Sequence, residues 1–265
     1  MGKLSKAIID EQVNKIVYMF EMQDKLNVAT NGPEWKQGIT KDGRKIDWSL
    51  CIFMESGELI DSIKSWKHWK DLNAPTDYDN LKMEIVDIWH FLMSYIITTN
   101  HELANTNVIE NSSFSKIINT VDRYNLKDIR TSILLNDKES VKIKEDIIKN
   151  TVELSFKLMH NDRTSNLYSI NPNIILMYDF IDLLYCSGMD VDILYNMYIV
   201  KNTLNRFRQN NGYKDGSYIK IIDGKEDNEN MMMFMNNSRK QLTADDLYAL
   251  YEDFYNNKKE IKNVK

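Results

Sequence analysis

At 265 residues, with 43% hydrophobic and 28% charged residues, the chain can bury a sizeable core in one or two domains. A formal charge of −5 argues against general nucleic-acid binding. Nine glycines and three prolines supply too little turn chemistry for a strand-rich fold and favour long helices, so the expected class is all-α. No apolar leader opens the sequence, Lys6 stands where a myristoylation signal wants Ser or Thr, and no run of about 18 apolar residues occurs. The expectation is a cytoplasmic protein with no membrane partner, in which Cys51 and Cys186 are inert buried thiols.

Residues 5 to 29 read as a helix, with Val13, Ile16, Val17 and Phe20 at i, i+3, i+4, i+7 and a stop at Asn31-Gly32-Pro33. Gln23 and Asn27, four apart, share one face. That face is either a plain solvated stripe or a pair of amides able to meet the edge of a base. A loop with an Asp42-Gly43 turn follows, and Asp47 is placed to cap a helix starting at Trp48. This helix carries Glu55 and Glu58 and is expected to run on through Ser65-Trp66-Lys67-His68-Trp69-Lys70. The tryptophans and cations there are either a core edge with solvated lysines or a wall for a planar ligand with cations for phosphate.

After a polar loop with Pro75, Asp77 or Asp79 caps a helix bearing Glu84 and Asp87, with His90-Phe91 one turn beyond. Each acidic pair is spaced i, i+3, which puts both carboxylates on one helix face. A single such pair is common on solvated helices. Here Leu50, Ile52, Phe53, Met54, Leu59 and Ile60 flank the first, and Leu81, Ile85, Val86, Ile88 and Trp89 the second. Helices apolar on nearly every side are expected to be buried, and buried carboxylates need partners. Hard oxygen donors favour Mg2+ or Mn2+.

Residues 100 to 171 hold no motif; VKIKEDIIKNTVELSFKLMH reads as an amphipathic helix, and the segment as an insertion or accessory helical lobe. Asn171-Pro172-Asn173 starts the next helix, Gly188 stops it, and Asp190 caps another. The latter carries Lys201, Asn202, Asn205 and Arg208 and ends at Asn211-Gly212, ahead of Tyr213-Lys214 in a Gly-bounded loop. Cations interleaved with amides suit a polyphosphate, although a basic helix end can also be a solvated one. Carboxylates and cations on separate helices predict a cleft that substrate closes, with Asn211 to Tyr218 moving. The tail from about 219, with a Thr243-capped helix, shows no chemistry and is expected to pack on the core or a partner.

Five stretches, MQDKLN, the G-x-T-K-D-G loop, E-x-x-E followed by WKHWK, EIVDIWHF and KNTLNRFRQNNGYKDGSY, together resemble the dimeric all-α dUTPases of the all-α nucleoside-triphosphate pyrophosphohydrolase superfamily. The resemblance covers about 10–98 and 174–218 and implies one helical-bundle domain over 1–265, with 100–171 inserted and 219–265 a tail. It also implies a homodimer that hydrolyses dUTP, and dUDP, to dUMP with release of pyrophosphate or phosphate. Such an enzyme keeps uracil out of DNA. By the same resemblance Glu55, Glu58, Glu84 and Asp87 would bind Mg2+, with Mn2+ able to substitute, and Glu55 or Glu58 would activate water. Gln23 and Asn27 would read uracil with help from Trp66 and His90-Phe91. Lys201, Asn202, Asn205, Arg208, Tyr213 and Lys214 would hold phosphates, together with Lys67 or Lys70. The alternatives are a relative acting on dCTP or another dNTP, and a helical dimer that binds a protein regulator through 100–171.

Overall fold

The computed structural model describes residues 6–69, 75–99, 123–164, 172–238 and 242–263. These form nine α-helices: α1 (Lys6–Asn31), α2 (Trp48–Ile63), α3 (Tyr78–Thr99), α4 (Leu126–Leu135), α5 (Lys138–Thr164), α6 (Pro172–Cys186), α7 (Val191–Asn210), α8 (Asp227–Asn237) and α9 (Ala244–Asn263). A 3-10 turn (Pro33–Gln37) and a two-stranded antiparallel ribbon of β1 (Ile221–Ile222) and β2 (Lys225–Glu226) complete them, so the fold is all-α. No described helix is long and apolar enough to cross a membrane.

The bundle is assembled around α3, which packs against α1, α2, α6 and α7. Trp89, fully buried at its middle, stacks on Phe180 of α6 at 4.7 Å and meets Phe20 of α1 edge-on at 5.7 Å. Truncating such a side chain costs about 3–5 kcal/mol. Caps follow short-range sequence signals. Asp47 accepts from the Leu50 N–H at 3.0 Å, Asp190 from that of Ile193 at 2.8 Å, and Asp77 rather than Asp79 from that of Asn80 at 3.1 Å. Gly188 follows α6 at φ 76°; a Cβ there would lie 2.8 Å from Arg130 and 3.1 Å from the Tyr78 hydroxyl. Only glycine fits that corner.

Two sequence expectations give way. α2 does not run to Lys70: it stops at Ile63, because Lys64 adopts a left-handed conformation (φ 62°) and its N–H returns to the Ile60 carbonyl. Nor is α2 buried all round. It packs on α3 and α5, while Leu50, Phe53 and Met54 on its outer face stay half exposed. Apolar composition alone does not determine what covers a face. In the segment read as an insertion, α5 lies against both α2 and α6, with Ile147, Leu154 and Leu158 buried and Ser155 Oγ donating to Ser56 Oγ at 2.7 Å. It is a layer of the same bundle; residues 100–122 and 165–171 lie outside the described ones. The tail packs on the core, as α8 and α9 dock on α7 around Phe207, ringed by Tyr218, Tyr248, Tyr251 and Tyr255.

Candidate functional site

α2 and α3 run side by side with their acidic faces together. One oxygen each of Glu55, Glu58 and Glu84 lie within 4.8 Å of one another. Glu84 is buried, Glu55 half-buried and Glu58 exposed, so the cluster opens to solvent on one side. Burial first, then Asp87, Glu55 and Glu58, push the Glu84 carboxyl up to about 8. Burial, then Asp87 and Glu58, raise Glu55, while a hydrogen bond from Glu84 works the other way. Burial and mutual repulsion thus favour a shared proton in the cluster. A divalent cation with hard oxygen preference fits the same donor set. The fourth expected ligand, Asp87, has a different partner: its Oδ2 accepts from Lys201 Nζ at 2.7 Å.

Beside the carboxylates lies a cavity of about 520 Å3, bounded by the second half of α1, the loop after it, the start of α2, the middle of α3 and the last turns of α7. Gln23, Asn27, Asp87, His90, Phe91 and Asn205 all line it. The two amides are not a solvated stripe. Gln23 Nε2 donates to Ser94 Oγ at 3.1 Å and Asn27 Oδ1 at 3.3 Å, and its Oε1 accepts from Tyr198 at 3.1 Å. Asn27 Nδ2 donates to Ser94 Oγ at 2.8 Å, and Asn202 Nδ2 donates to Tyr198 Oη at 2.9 Å. Both amide hydrogens of Gln23 are used by this network, whereas Asn27 keeps one amide hydrogen and one lone pair. His90 Nδ1 lies 2.8 Å from the Val86 carbonyl, which assigns its hydrogen there. Nε2 has no partner among the described residues, and burial pushes the imidazole down to about 4, so it is a neutral acceptor. Phe91 and Trp48 lie 6.0 Å apart at the cavity wall. An aromatic wall, an amide and a neutral imidazole can together receive a flat heterocycle bearing an N–H.

The remaining expected residues separate. Lys201 and Asn205 face the acidic cluster and the cavity, and so does Gln209 one turn on. Arg208 faces the tail: its Nε and Nη2 donate to both oxygens of fully buried Asp227, at 2.7 Å each, and its guanidinium sits 5.3 Å from the Tyr213 ring. Lys214 Nζ reaches the Thr30 carbonyl at the end of α1, at 3.4 Å. Trp66 and Trp69 pack edge to face at 5.5 Å, outside the cavity lining, with Lys67 over Trp66 and paired with Asp61. Lys70 lies outside the described residues. Lys201 bonds α3, and Lys214 bonds α1.

Sequence reading missed Trp48, Ser94, Tyr198 and Gln209. Ser94 falls seven residues after Asp87 and Tyr198 four before Asn202, so helical spacing from the acknowledged residues would have found both. A protein-family model described as dUTPase matches residues 15–213, which include the segment read as an insertion and exclude the tail. No curated protein matches the chain.

Proposed function

This chain belongs to the dUTPase family and is a dUTP diphosphatase by that membership, and we propose that it hydrolyses dUTP, and also dUDP, in a Mg2+-dependent reaction that leaves dUMP. The observation that supports this most is the meeting of Glu55, Glu58 and Glu84 within 4.8 Å beside a polar-floored cavity. Those three carboxylates would hold the metal, with Asp87 next to them. When bound, Mg2+, or Mn2+ in its place, supplies neutralisation of phosphate charge and a water of lowered pKa. Glu55 or Glu58 orients the attacking water at the α-phosphorus and takes its proton. Lys201 and Asn205 bind phosphate oxygens, and pyrophosphate (or phosphate, from dUDP) leaves.

Base choice follows from the cavity's hydrogen-bonding inventory. Gln23, whose amide hydrogens go to Ser94 and Asn27, positions Asn27. The free hydrogen and lone pair of Asn27, with His90 Nε2 as acceptor, meet uracil, whose N3 carries a hydrogen. Cytosine presents a lone pair at N3 and leaves His90 unpaired, which a buried site penalises. The working form is a cytoplasmic homodimer, for which the half-exposed Leu50, Phe53 and Met54 of α2 offer apolar surface. The test is pyrophosphate release from a panel of dUTP, dCTP, dTTP and dUDP, with Mg2+ and with excess chelator. Mg2+-dependent release favouring dUTP is the expected result; hydrolysis that survives chelation, or that prefers another base, overturns the proposal.

A further inference from the structure

The segment between the 3-10 turn and α2 carries cations that the function above does not use. Residues 38–47 form a tight hairpin. Ile39 bridges Lys45, the Thr40 N–H donates to the Arg44 carbonyl at 2.8 Å, the Ile46 N–H donates to the Gly38 carbonyl at 2.8 Å, and Gly43 turns at φ 76°. Thr40 Oγ1 also accepts from the Arg44 N–H at 3.1 Å. The hairpin is fastened to the end of α1: the Lys41 N–H donates to the Asn31 carbonyl, and a Cβ on Gly32 (φ 93°) would begin 3.0 Å from Lys41 Cβ. Backbone contact fixes where its side chains stand, so any ligand meets them without an ordering cost for the loop.

Thr40, Arg44 and Lys45 line the nucleotide-sized cavity, as Asp87 does. Lys41 and Lys214 stand near each other, Lys214 reaching the carbonyl of cavity-lining Thr30, and Lys214 feels desolvation first and then the charge of Lys41. Against these cations stands Asp42, 3.6 Å from Arg44 with both side chains largely exposed. No ion pair among the described residues joins Lys41, Lys45 or Lys214 to a carboxylate. The carbonyl end of α1 accounts for Lys214 pointing at Thr30. It does not account for Arg44 and Lys45 along the cavity wall. Like charges brought together from segments about 170 positions apart outnumber the Asp42 that faces them and call for an anion. Asn205 and Gln209 of α7 line the same cavity, and Lys201, one turn before Asn205, pairs with Asp87, which also lines it.

We propose that the 38–47 hairpin is a fixed anion-binding jaw, in which Thr40, Arg44 and Lys45, with Lys41 and Lys214 nearby, take the terminal end of the nucleotide's phosphate chain. The proposal rests on the reading of this cavity as the nucleotide site. Arg44 offers a planar fork to phosphate oxygens, and Lys45 and Lys41 offer compact charges. A triphosphate is then distinguished from a monophosphate by the jaw.

The test measures binding by calorimetry in the presence of Mg2+, using a non-hydrolysable α,β-imido analogue of dUTP and, separately, dUMP. The proteins are wild type, R44A/K45A, K41A and R44K. These residues are exposed, and unchanged melting curves check the fold. The double variant should bind the analogue at least about tenfold more weakly and dUMP within about twofold of wild type, K41A should show a smaller loss, and R44K should recover part of it. Wild-type-like affinity of R44A/K45A for the analogue overturns the jaw and leaves the nucleotide site standing. Equal weakening for dUMP and the analogue also overturns it, since the hairpin would then serve the nucleoside. If wild type binds neither ligand, the nucleotide reading falls and the jaw with it.

Discussion

The acidic faces of α2 and α3 and the cationic face of α7 carry their charges at similar helical spacing, yet the fold treats them oppositely. Glu55, Glu58 and Glu84 converge on each other, and burial with their mutual repulsion pushes the Glu84 carboxyl up to about 8. On α7 two of the cations are spoken for: Lys201 by Asp87 and Arg208 by buried Asp227. The acidic faces bring like charges together, with Lys201 the cation that acts on them, whereas Arg208 meets an opposite charge in the tail and ties it to α7.

The largest expected effect comes from breaking the acidic cluster. Glu58→Gln should lower dUTP turnover on the order of 10²–10³-fold, because a preorganised charge at the reacting phosphate is lost. The helices should keep their far-ultraviolet circular dichroism. Turnover near wild type would place the chemistry elsewhere.

Next comes the fastening. Asp227→Ala leaves the Arg208 guanidinium without its partner and should cost about 3 kcal/mol in urea unfolding. A double-mutant cycle with Arg208→Ala sharpens the contrast. If Arg208 is chiefly a tie, the two single losses are similar and strongly coupled, and KM for dUTP moves little in either. If it also holds phosphate, Arg208→Ala alone raises KM.

A smaller effect is expected from the cavity floor. Asn27→Ala should reduce the ratio of dUTP to dCTP hydrolysis by about 10–100-fold, the worth of one or two buried hydrogen bonds. An unchanged ratio would move the base pocket away from Ser94 and Gln23.

The smallest effect is a pH dependence of the metal-free protein. The folded Glu84 carboxyl titrates near 8 against 4.5 ordinarily, so the folded state binds the extra proton across that window and stability falls as pH rises through it. Glu84→Gln should remove this slope and raise the metal-free melting temperature at pH 8 by about 2–4 °C, equivalent to about 1 kcal/mol. A slope that persists in the variant would assign it to another group.

Much of this was legible in the residues. The caps at Asp47 and Asp190 are read from side chains three positions before the N–H they serve, so they need no tertiary knowledge. The two acidic pairs are local patterns, and adjacent packing of α2 and α3 suffices to join them. What failed was set by tertiary context. The end of α2 depends on a left-handed Lys64, a conformation usually signalled by glycine. The half-open face of α2 depends on how many helices cover it. Arg208 shares the spacing of Lys201 and Asn205 but turns to Asp227, in a tail whose sequence shows no chemistry. The hairpin cations gain meaning only when Lys41 meets Lys214.

The most direct measurement of the central claim is calorimetric titration of the metal-free protein with Mg2+ at pH 7 in buffers of different ionisation enthalpy, which counts the protons released. With the Glu84 carboxyl near 8, the cluster holds close to one proton at pH 7, and Mg2+ should expel it, releasing about one proton per site; Glu84→Gln should release none and bind the metal more weakly. Mg2+ binding without proton release, or with the same affinity and release in Glu84→Gln, would contradict the assignment of these carboxylates as the metal site.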